Sequence, residues 1–219
     1  MADRTGVYRD SANKTLEDYP RPSVAVDTAV FTVSAGTLQV VLTDRDDDLR
    51  LPGTFLLPEE LLVGAAVRAL ETKMGLVGIV PRQLHVFDRL GRDDRGWVLS
   101  VAHVAAVAAE RLTETDRFLL VPVEDVPRLE LRYDHADIVD EALRWLRAEY
   151  ADTADSLHLL GEEFTLLQLE QVHEAVAGKP LTIDGFRRRM VRNGRVVETG
   201  RTSAGTIGKP ARIYRRASA

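Results

Sequence analysis

The residues of this chain best suited to chemistry on a charged partner are arginines. Four of them, Arg187, Arg188, Arg189 and Arg192, crowd the segment Thr182-Ile183-Asp184-Gly185-Phe186-Arg187-Arg188-Arg189-Met190-Val191-Arg192. A guanidinium stays charged at neutral pH and presents five N–H donors in a planar fork, so a cluster of them is made for phosphate or carboxylate. Wound as a helix, the segment would turn Ile183, Phe186 and Met190 inward at i, i+3 and i+7 and leave Arg187, Arg188 and Arg192 elsewhere. An apolar anchor face, a cationic outer face and an N-terminus opened by Thr182 are what a helix needs to enter a DNA groove. An arginine run standing alone is more often a solvated face. Here it is followed by Arg201, Lys209 and Arg212 in and beside the glycine-rich stretch Gly200 to Pro210, which suits a β-hairpin wing, and Arg215 and Arg216 extend the basic patch.

The net charge of −5 over 219 residues hides a segregation. From Phe164 to Ala219 there are 11 Lys or Arg against 4 Asp or Glu, so residues 1–163 carry 18 against 30. A basic module on an acidic body gives a polyanion one place to bind and repels it elsewhere. The absence of cysteine excludes disulfides, thiolate catalysis and Cys-based zinc sites. His158 and His173 lack metal-ligand spacing and are expected at helical surfaces in structural roles, and no metal site is expected. No apolar run is long enough to span a bilayer and residues 1–18 carry no hydrophobic segment, so a cytoplasmic protein without membrane contact is expected.

Alternation over residues 23–43, with Ser34-Ala35-Gly36 in the middle, predicts a β-hairpin. A turn at Pro52-Gly53 precedes helical spacing over Glu59 to Met74, stopped by Gly75. Strands are expected at Leu84 to Phe87, Val98 to Ala108 and Phe118 to Val121, and a second helix at Asp137 to Glu149 with Ile138, Ala142, Trp145 and Leu146 on one face. These elements make a mixed sheet with two main helices. The small, polar run Ala151 to Ser156 reads as a crossing between domains. Beyond it, two helices are expected at Thr165 to Ala177 and Thr182 to Arg192, each opened by a threonine cap and closed at Gly178 and Asn193-Gly194, then strands at Val196 to Thr199 and Ala211 to Tyr214.

Within the first region, Leu51-Pro52-Gly53-Thr54-Phe55 followed by Arg68-Ala69-Leu70-Glu71-Thr72-Lys73-Met74-Gly75-Leu76 resembles a Nudix box. Aligned on Arg68 and Gly75 the spacing holds without a gap, with Glu60 on the family's first glutamate and Thr54 on its first glycine. The family's three later glutamates share a helix face and hold Mg²⁺ against a pyrophosphate. Here those positions are Ala69, Thr72 and Lys73, so the resemblance implies the frame without the metal chemistry, and no catalytic residue is expected. Arg92-Asp93-Asp94-Arg95-Gly96-Trp97-Val98-Leu99-Ser100-Val101 is similar to a stretch of ADP-ribose-type Nudix domains. Arg50, Arg68, Arg92 and Arg95 then become candidate forked donors to a diphosphate, Phe55 or Trp97 a stacking face for adenine, and Lys73 a fixed cation in place of the metal. Equally, Arg68 could pair with Glu60 or Glu71 to tie loop to helix, and Trp97 could be core or a dimer contact.

The order of the whole chain, that domain followed by Phe164-Thr165-Leu166, Gly178-Lys179-Pro180-Leu181, Phe186-Arg187-Arg188, Glu198-Thr199-Gly200 and Gly208-Lys209-Pro210-Ala211-Arg212, resembles the Nudix-related transcriptional regulators of NAD biosynthesis. The resemblance implies an α+β chain: an N-terminal arm over 1–22, a Nudix-like α/β/α sandwich sensing domain over 23–155 and a winged helix-turn-helix DNA-binding domain over 156–219. It further implies a homodimeric repressor on a palindromic double-stranded operator, no cofactor, and ADP-ribose or a related nucleotide as effector. Two readings stand beside it: a Nudix hydrolase acting on ADP-ribose or another nucleoside diphosphate, its basic tail binding substrate or RNA, and a ligand-free interaction module.

Overall fold

A computed structural model describes residues 8–45, 48–112, 118–203 and 210–217. The first region is a seven-stranded mixed sheet. Its hairpin joins β1 (Ser23–Ser34) to β2 (Thr37–Arg45) through Ala35 and Gly36, both at positive φ, the two-residue turn whose twist matches that of the strands it connects. Then come β3 (Asp48–Arg50), β4 (Gly53–Phe55), helix α1 (Leu62–Met74), β5 (Arg82–Phe87), β6 (Val98–Ala106), β7 (Leu119–Pro122) and helix α2 (His135–Asp152). The order β3-β2-β1-β6-β5, with β4 also on β1 and β7 on β2, puts β1 at the centre, parallel to β6 and antiparallel to the rest of its neighbours.

Centrality explains why β1 reads as a nearly continuous apolar run: both its faces are covered. Val26 and Val30 point to one side with Val41, Val101 and Ala105, where α1 packs through Ala65, Ala66, Leu70 and Met74. Ala29 and Phe31 point to the other with Val40, Leu42, Ala102 and Val104, where α2 packs through Ile138, Val139, Ala142 and Leu146. Each such large aliphatic side chain removed from water contributes about 1.5–3 kcal/mol, so the two helices are held by their faces rather than by propensity. The strands expected from alternation are present, although that expected at 98–108 ends at Ala106.

Helix α1 starts three residues later than its periodicity predicts. Glu59 has φ +62°, incompatible with a helix, and Glu60 folds back so that its carboxylate accepts the backbone N–H of Leu57. Its C-terminus ends as expected on Gly75 at φ +70°. Helix α2 runs to Asp152, into the stretch expected to be a polar crossing. That stretch is an ordered joint: Ala154 and Asp155 are buried, and the Asp155 carboxylate accepts from the Tyr150 hydroxyl, the backbone N–H groups of Leu159 and Leu160, and Arg216.

The second region has strand β8 (Phe164–Thr165), helix α3 (Leu166–Ala177), helix α4 (Ile183–Arg187) continued by a π-helical turn over Arg188–Arg192, and strands β9 (Val196–Thr202) and β10 (Arg212–Arg216). Strand β10 lies between β8 and β9, so the residues that open α3 also close a three-stranded sheet; two residues are too short to carry a sequence signal for β8. Thr165 and Gln168 form a reciprocal capping box at the start of α3, and Gly178 ends it at φ +67°. Leu169 of α3 enters the small core made with Phe164, Phe186, Met190, Val196 and Tyr214, while Val172 and Val176 enter the core of the sandwich. One helix is thus shared by two cores. His173 sits between those faces and is buried, not at the helix surface that its spacing suggests, its Nε2 within 2.5 Å of the Ala154 carbonyl. Ile183 is the other reversal: periodicity turns it inward, yet it is 70% exposed, and Phe186 and Met190, with partly buried Val191, anchor α4 and its π-helical continuation.

Candidate functional site

Two constellations carry the candidate residues. The first is a cavity of about 220 Å³ at the end of the sandwich where β1, β4, the C-terminal turn of α1 and the N-terminus of α2 converge. Arg50, Phe55, Lys73, Arg92 and Arg95 line it; Arg68 does not. Gly53 lies so close over β1 that a Cβ there would meet the Asp27 carboxylate at 2.0 Å, which is how the turn brings the loop down onto the strand.

A buried polar network forms the floor. Arg92, only 5% exposed, forks onto Asp134 with Nε 2.9 Å from Oδ2 and a terminal nitrogen 2.5 Å from Oδ1, and lies 3.7 Å from Asp27. Asp27 accepts the Ser100 hydroxyl at 2.6 Å and faces His135 Nε2 at 3.5 Å. The Leu51 N–H donates to His135 Nδ1 at 2.9 Å, which leaves the ring proton on Nε2, toward Asp27. Burial pushes the Asp27 carboxyl up, but His135, Ser100 and Arg92 outweigh it and hold the group below the usual carboxylate range.

Arg95 forms the wall. It hydrogen bonds Asp93 at 2.9 and 2.6 Å while its guanidinium lies 5.0 Å from the centre of the Phe55 ring and 5.2 Å from that of Tyr133. The Arg95 hydrogen bonds hold Asp93 below its ordinary pKa. Tyr133 takes φ +59°, an uncommon backbone for an aromatic residue, and places its ring at the cavity. Sequence reasoning missed Tyr133, Asp27 and His135. A lone acid inside the apolar run Val24 to Val33 was the available signal for Asp27, because an unpaired carboxylate is not left in a sheet core.

Arg68 follows the pairing alternative. It grips Glu60 at 2.7 and 2.8 Å, the Phe55 carbonyl at 3.0 Å and Thr54 Oγ1 at 3.3 Å, tying the loop to the helix, and that contact holds Glu60 down to about 2. On the helix face where the Nudix pattern puts metal ligands, Ala69 is buried, Thr72 Oγ1 donates to the Arg68 carbonyl at 2.7 Å, and Lys73 donates to the Gly53 carbonyl. A methyl, a committed hydroxyl and an ammonium do not fit a divalent cation. Among the described residues no group of three or more His, Asp or Glu is placed to hold a metal. Trp97 is 55% exposed and outside the cavity lining.

The second constellation is on α4. Arg187, Arg188 and Arg192 surround a shallow exposed cavity with Asp184 and Val191, and none of the three enters an ion pair among the described residues. Thr182 stands at the N-cap in extended conformation, but its side chain makes no capping bond. Arg189 parts from its neighbours: half-buried, it lies 5.5 Å over the Phe186 ring and turns toward the joint with α2 and α3, because the turn that buries Met190 carries it there. Arg201 and Arg212 stand exposed on β9 and β10, each beside a carboxylate, Glu163 and Glu198 respectively. Arg216 is a strut, not part of the patch: its side chain is 14% exposed and binds Asp155 and the carbonyls of Asp155 and Leu160. Lys209 and the tip of the wing lie outside the described residues.

The family model of the NrtR DNA-binding winged helix domain matches residues 156–216. An ADPR-responsive transcriptional repressor, NtrR, of Acinetobacter baylyi is 32% identical over 210 residues, covering 90% of this chain and 83% of that protein. The structure of Shewanella oneidensis NrtR complexed with a 27mer DNA superposes with a TM-score of 0.77 at 27% identity, over 89% of this chain and 93% of that one. The NUDIX domain of the same Shewanella protein, complexed with ADP ribose, matches at TM-score 0.53 and 25% identity, over 62% of this chain and 95% of that one. A Nudix-like sandwich joined to a winged helix, matched over most of both chains by such a repressor, places this chain in the NrtR family of Nudix-related transcriptional regulators.

Proposed function

We propose that the chain is a transcriptional repressor, of NAD biosynthesis or salvage genes, that holds a double-stranded operator through its winged helix and is regulated by ADP-ribose or a related nucleotide in the sandwich cavity. The observation that carries the reading is the outward face of α4, where Arg187, Arg188 and Arg192 stand exposed and unpaired among the described residues while the other arginines near the sandwich cavity are tied to carboxylates. Residues 23–155 act as sensor and 156–219 as DNA-binding domain. Thr182, Arg201, Arg212 and Lys209 complete the DNA surface, and a homodimer presents two such surfaces to a palindromic site.

In the sensor, Arg50, Lys73 and Arg95 face the diphosphate, Phe55 and Tyr133 offer ring faces to a base, and Arg92 keeps the floor charged and fixed. The sensor binds without hydrolysing, because the helix face that would carry Mg²⁺ ends in Ala69, Thr72 and Lys73. The test is mapping of bound genomic DNA, followed by gel shift on the recovered site with and without ADP-ribose, and a phosphate-release assay with Mg²⁺. Sequence-selective binding that ADP-ribose changes, without turnover, is expected; brisk hydrolysis, or binding indifferent to sequence, would overturn the reading.

A further inference from the structure

A further cavity, of about 410 Å³, lies at the joint of the two regions, away from both constellations. Arg147 and Tyr150 of α2, His173 and Val176 of α3, Lys179 of the α3–α4 turn and Arg189 bound it. Among the described residues three cations line it and no carboxylate does. Of the acids near it in the chain, Asp155 is held by Tyr150, Arg216 and two backbone N–H groups, Glu174 accepts the Leu181 N–H at 2.8 Å and Glu149 lies 3.8 Å from Arg82, while Glu170, one turn earlier on α3, buries one carboxylate oxygen without a partner among the described residues and does not line the cavity.

The cations are only partly engaged. Arg147 gives one donor to the Val176 carbonyl at 3.1 Å, and the Arg189 Nε is buried without a hydrogen-bond acceptor among the described residues. Burying a guanidinium N–H without an acceptor is costly, and three like charges around one space repel unless an anion enters. His173 adds no positive charge, since burial holds its pKa down to about 4. Tyr150, Val176 and Leu181 supply apolar surface.

We propose that this cavity binds a small organic anion, a carboxylate or phosphate on an apolar body, with Arg189, Arg147 and Lys179 around the charge and Tyr150 and Val176 against the body. The site is distinct from the sandwich cavity, since His135 and Tyr150, at opposite ends of α2, are roughly 20 Å apart at 1.5 Å per residue. It is equally distinct from the DNA face, because Arg187, Arg188 and Arg192 line none of it. Arg189 shares its turn with Met190, so an occupant would fix α4 against α2. The proposal does not depend on whether the sandwich takes a nucleotide.

Calorimetric titration of the full chain, without DNA, tests it with benzoate and phenyl phosphate as probes, inorganic phosphate as charge alone and benzyl alcohol as body alone. One-to-one binding of at least one probe is expected, with a dissociation constant below about 1 mM. It should weaken at least tenfold in Arg189→Met and in Lys179→Met and stay unchanged in Arg187→Ala. Lys179 is exposed, so Lys179→Met reads the charge without disturbing packing. Absence of binding, or binding that both methionine variants leave intact, overturns the site. Equal binding of benzyl alcohol overturns the anion, and equal binding of inorganic phosphate overturns the apolar body.

Discussion

Around the sandwich cavity, Arg92 forks onto Asp134, Arg95 onto Asp93 and Arg50 reaches Asp48 at 3.0 Å, with Arg68 on Glu60 just behind. On α4, Arg187, Arg188 and Arg192 face outward and enter no ion pair among the described residues. The same side chain is used in two ways. At the sandwich cavity each of these four guanidiniums is paired with a carboxylate, so it offers a ligand geometry and little free charge. In the basic region the charge itself is what a partner meets, and its place on the helix matters more than its exact rotamer. Net charge by region is therefore a fair guide to a polyanion surface and a poor guide to a ligand pocket.

The largest expected effect breaks this comparison on the DNA side. Replacing Arg187, Arg188 and Arg192 together by alanine should lower operator affinity by at least about 100-fold, at about 1–3 kcal/mol for each arginine that reaches a base edge. The slope of log affinity against log salt should become shallower by roughly 0.9 for each phosphate no longer neutralised. Unfolding free energy should stay within about 0.5 kcal/mol of the parent per substitution, because these side chains are exposed. Fluorescence anisotropy over a salt series and urea unfolding measure both, and an unchanged affinity would remove α4 from the interface.

The pocket arginine should behave in the opposite way. Arg92→Ala leaves Asp134 buried and unpaired and should cost about 3–5 kcal/mol of stability in urea unfolding. The paired replacement Arg92→Met with Asp134→Leu should recover much of that loss, since apolar residues of similar volume remove both buried charges at once. If Arg92→Ala unfolds at the parent's urea midpoint, the buried pair is not the anchor that its geometry indicates.

How much of this was legible in the sequence follows from which forces are local. The hairpin at Ala35-Gly36, the stop at Gly75 and the cap at Thr165 depend on residues next to each other, and they stand where local spacing puts them. Side-chain periodicity found both helices of the sandwich. What it misplaced depends on distant partners: α1 begins late because Glu60 is held by Leu57 and Arg68, and the polar stretch after α2 is buried because Asp155 collects donors from α2, the segment at 159–160 and β10. The cavity was half legible. Its cations lie near the two segments that resemble Nudix sequences, whereas Asp27, Tyr133 and His135 reach it only through strand register and the placement of α2. On α4, Ile183 stands exposed where a regular helix predicts burial, and Arg189, in the π-helical turn over residues 188–192, is half-buried.

The joint between the regions gives a third, smaller effect. His173 is held to about 4 by burial, while in the unfolded chain it takes a proton near pH 6.5. Between those values the unfolded state binds more protons, so stability should fall as pH drops from about 6.5 toward 4, by up to about 1.4 kcal/mol per pH unit, and this contribution should be constant above 6.5. Substituting His173→Gln should flatten that part of the profile in urea unfolding across pH. A variant profile parallel to the parent's would mean that other groups set the acid limb.

The smallest expected effect separates a cation inside the sandwich cavity from one beside it. Lys73 lines the cavity at the place where the Nudix pattern carries a metal ligand, and Arg68 lies outside, holding Glu60 and the loop carbonyl of Phe55. If a fixed ammonium balances a bound diphosphate, Lys73→Ala should weaken ADP-ribose by about tenfold, or about 1.4 kcal/mol, with Lys73→Arg retaining most of the affinity. Arg68→Ala removes only the loop tether, so it should shift affinity by less than about threefold. Calorimetry on the three variants decides between direct and indirect roles: equal losses in Lys73→Ala and Arg68→Ala would mean that both act by shaping the loop over Gly53, and that the charge on Lys73 is not what the nucleotide meets.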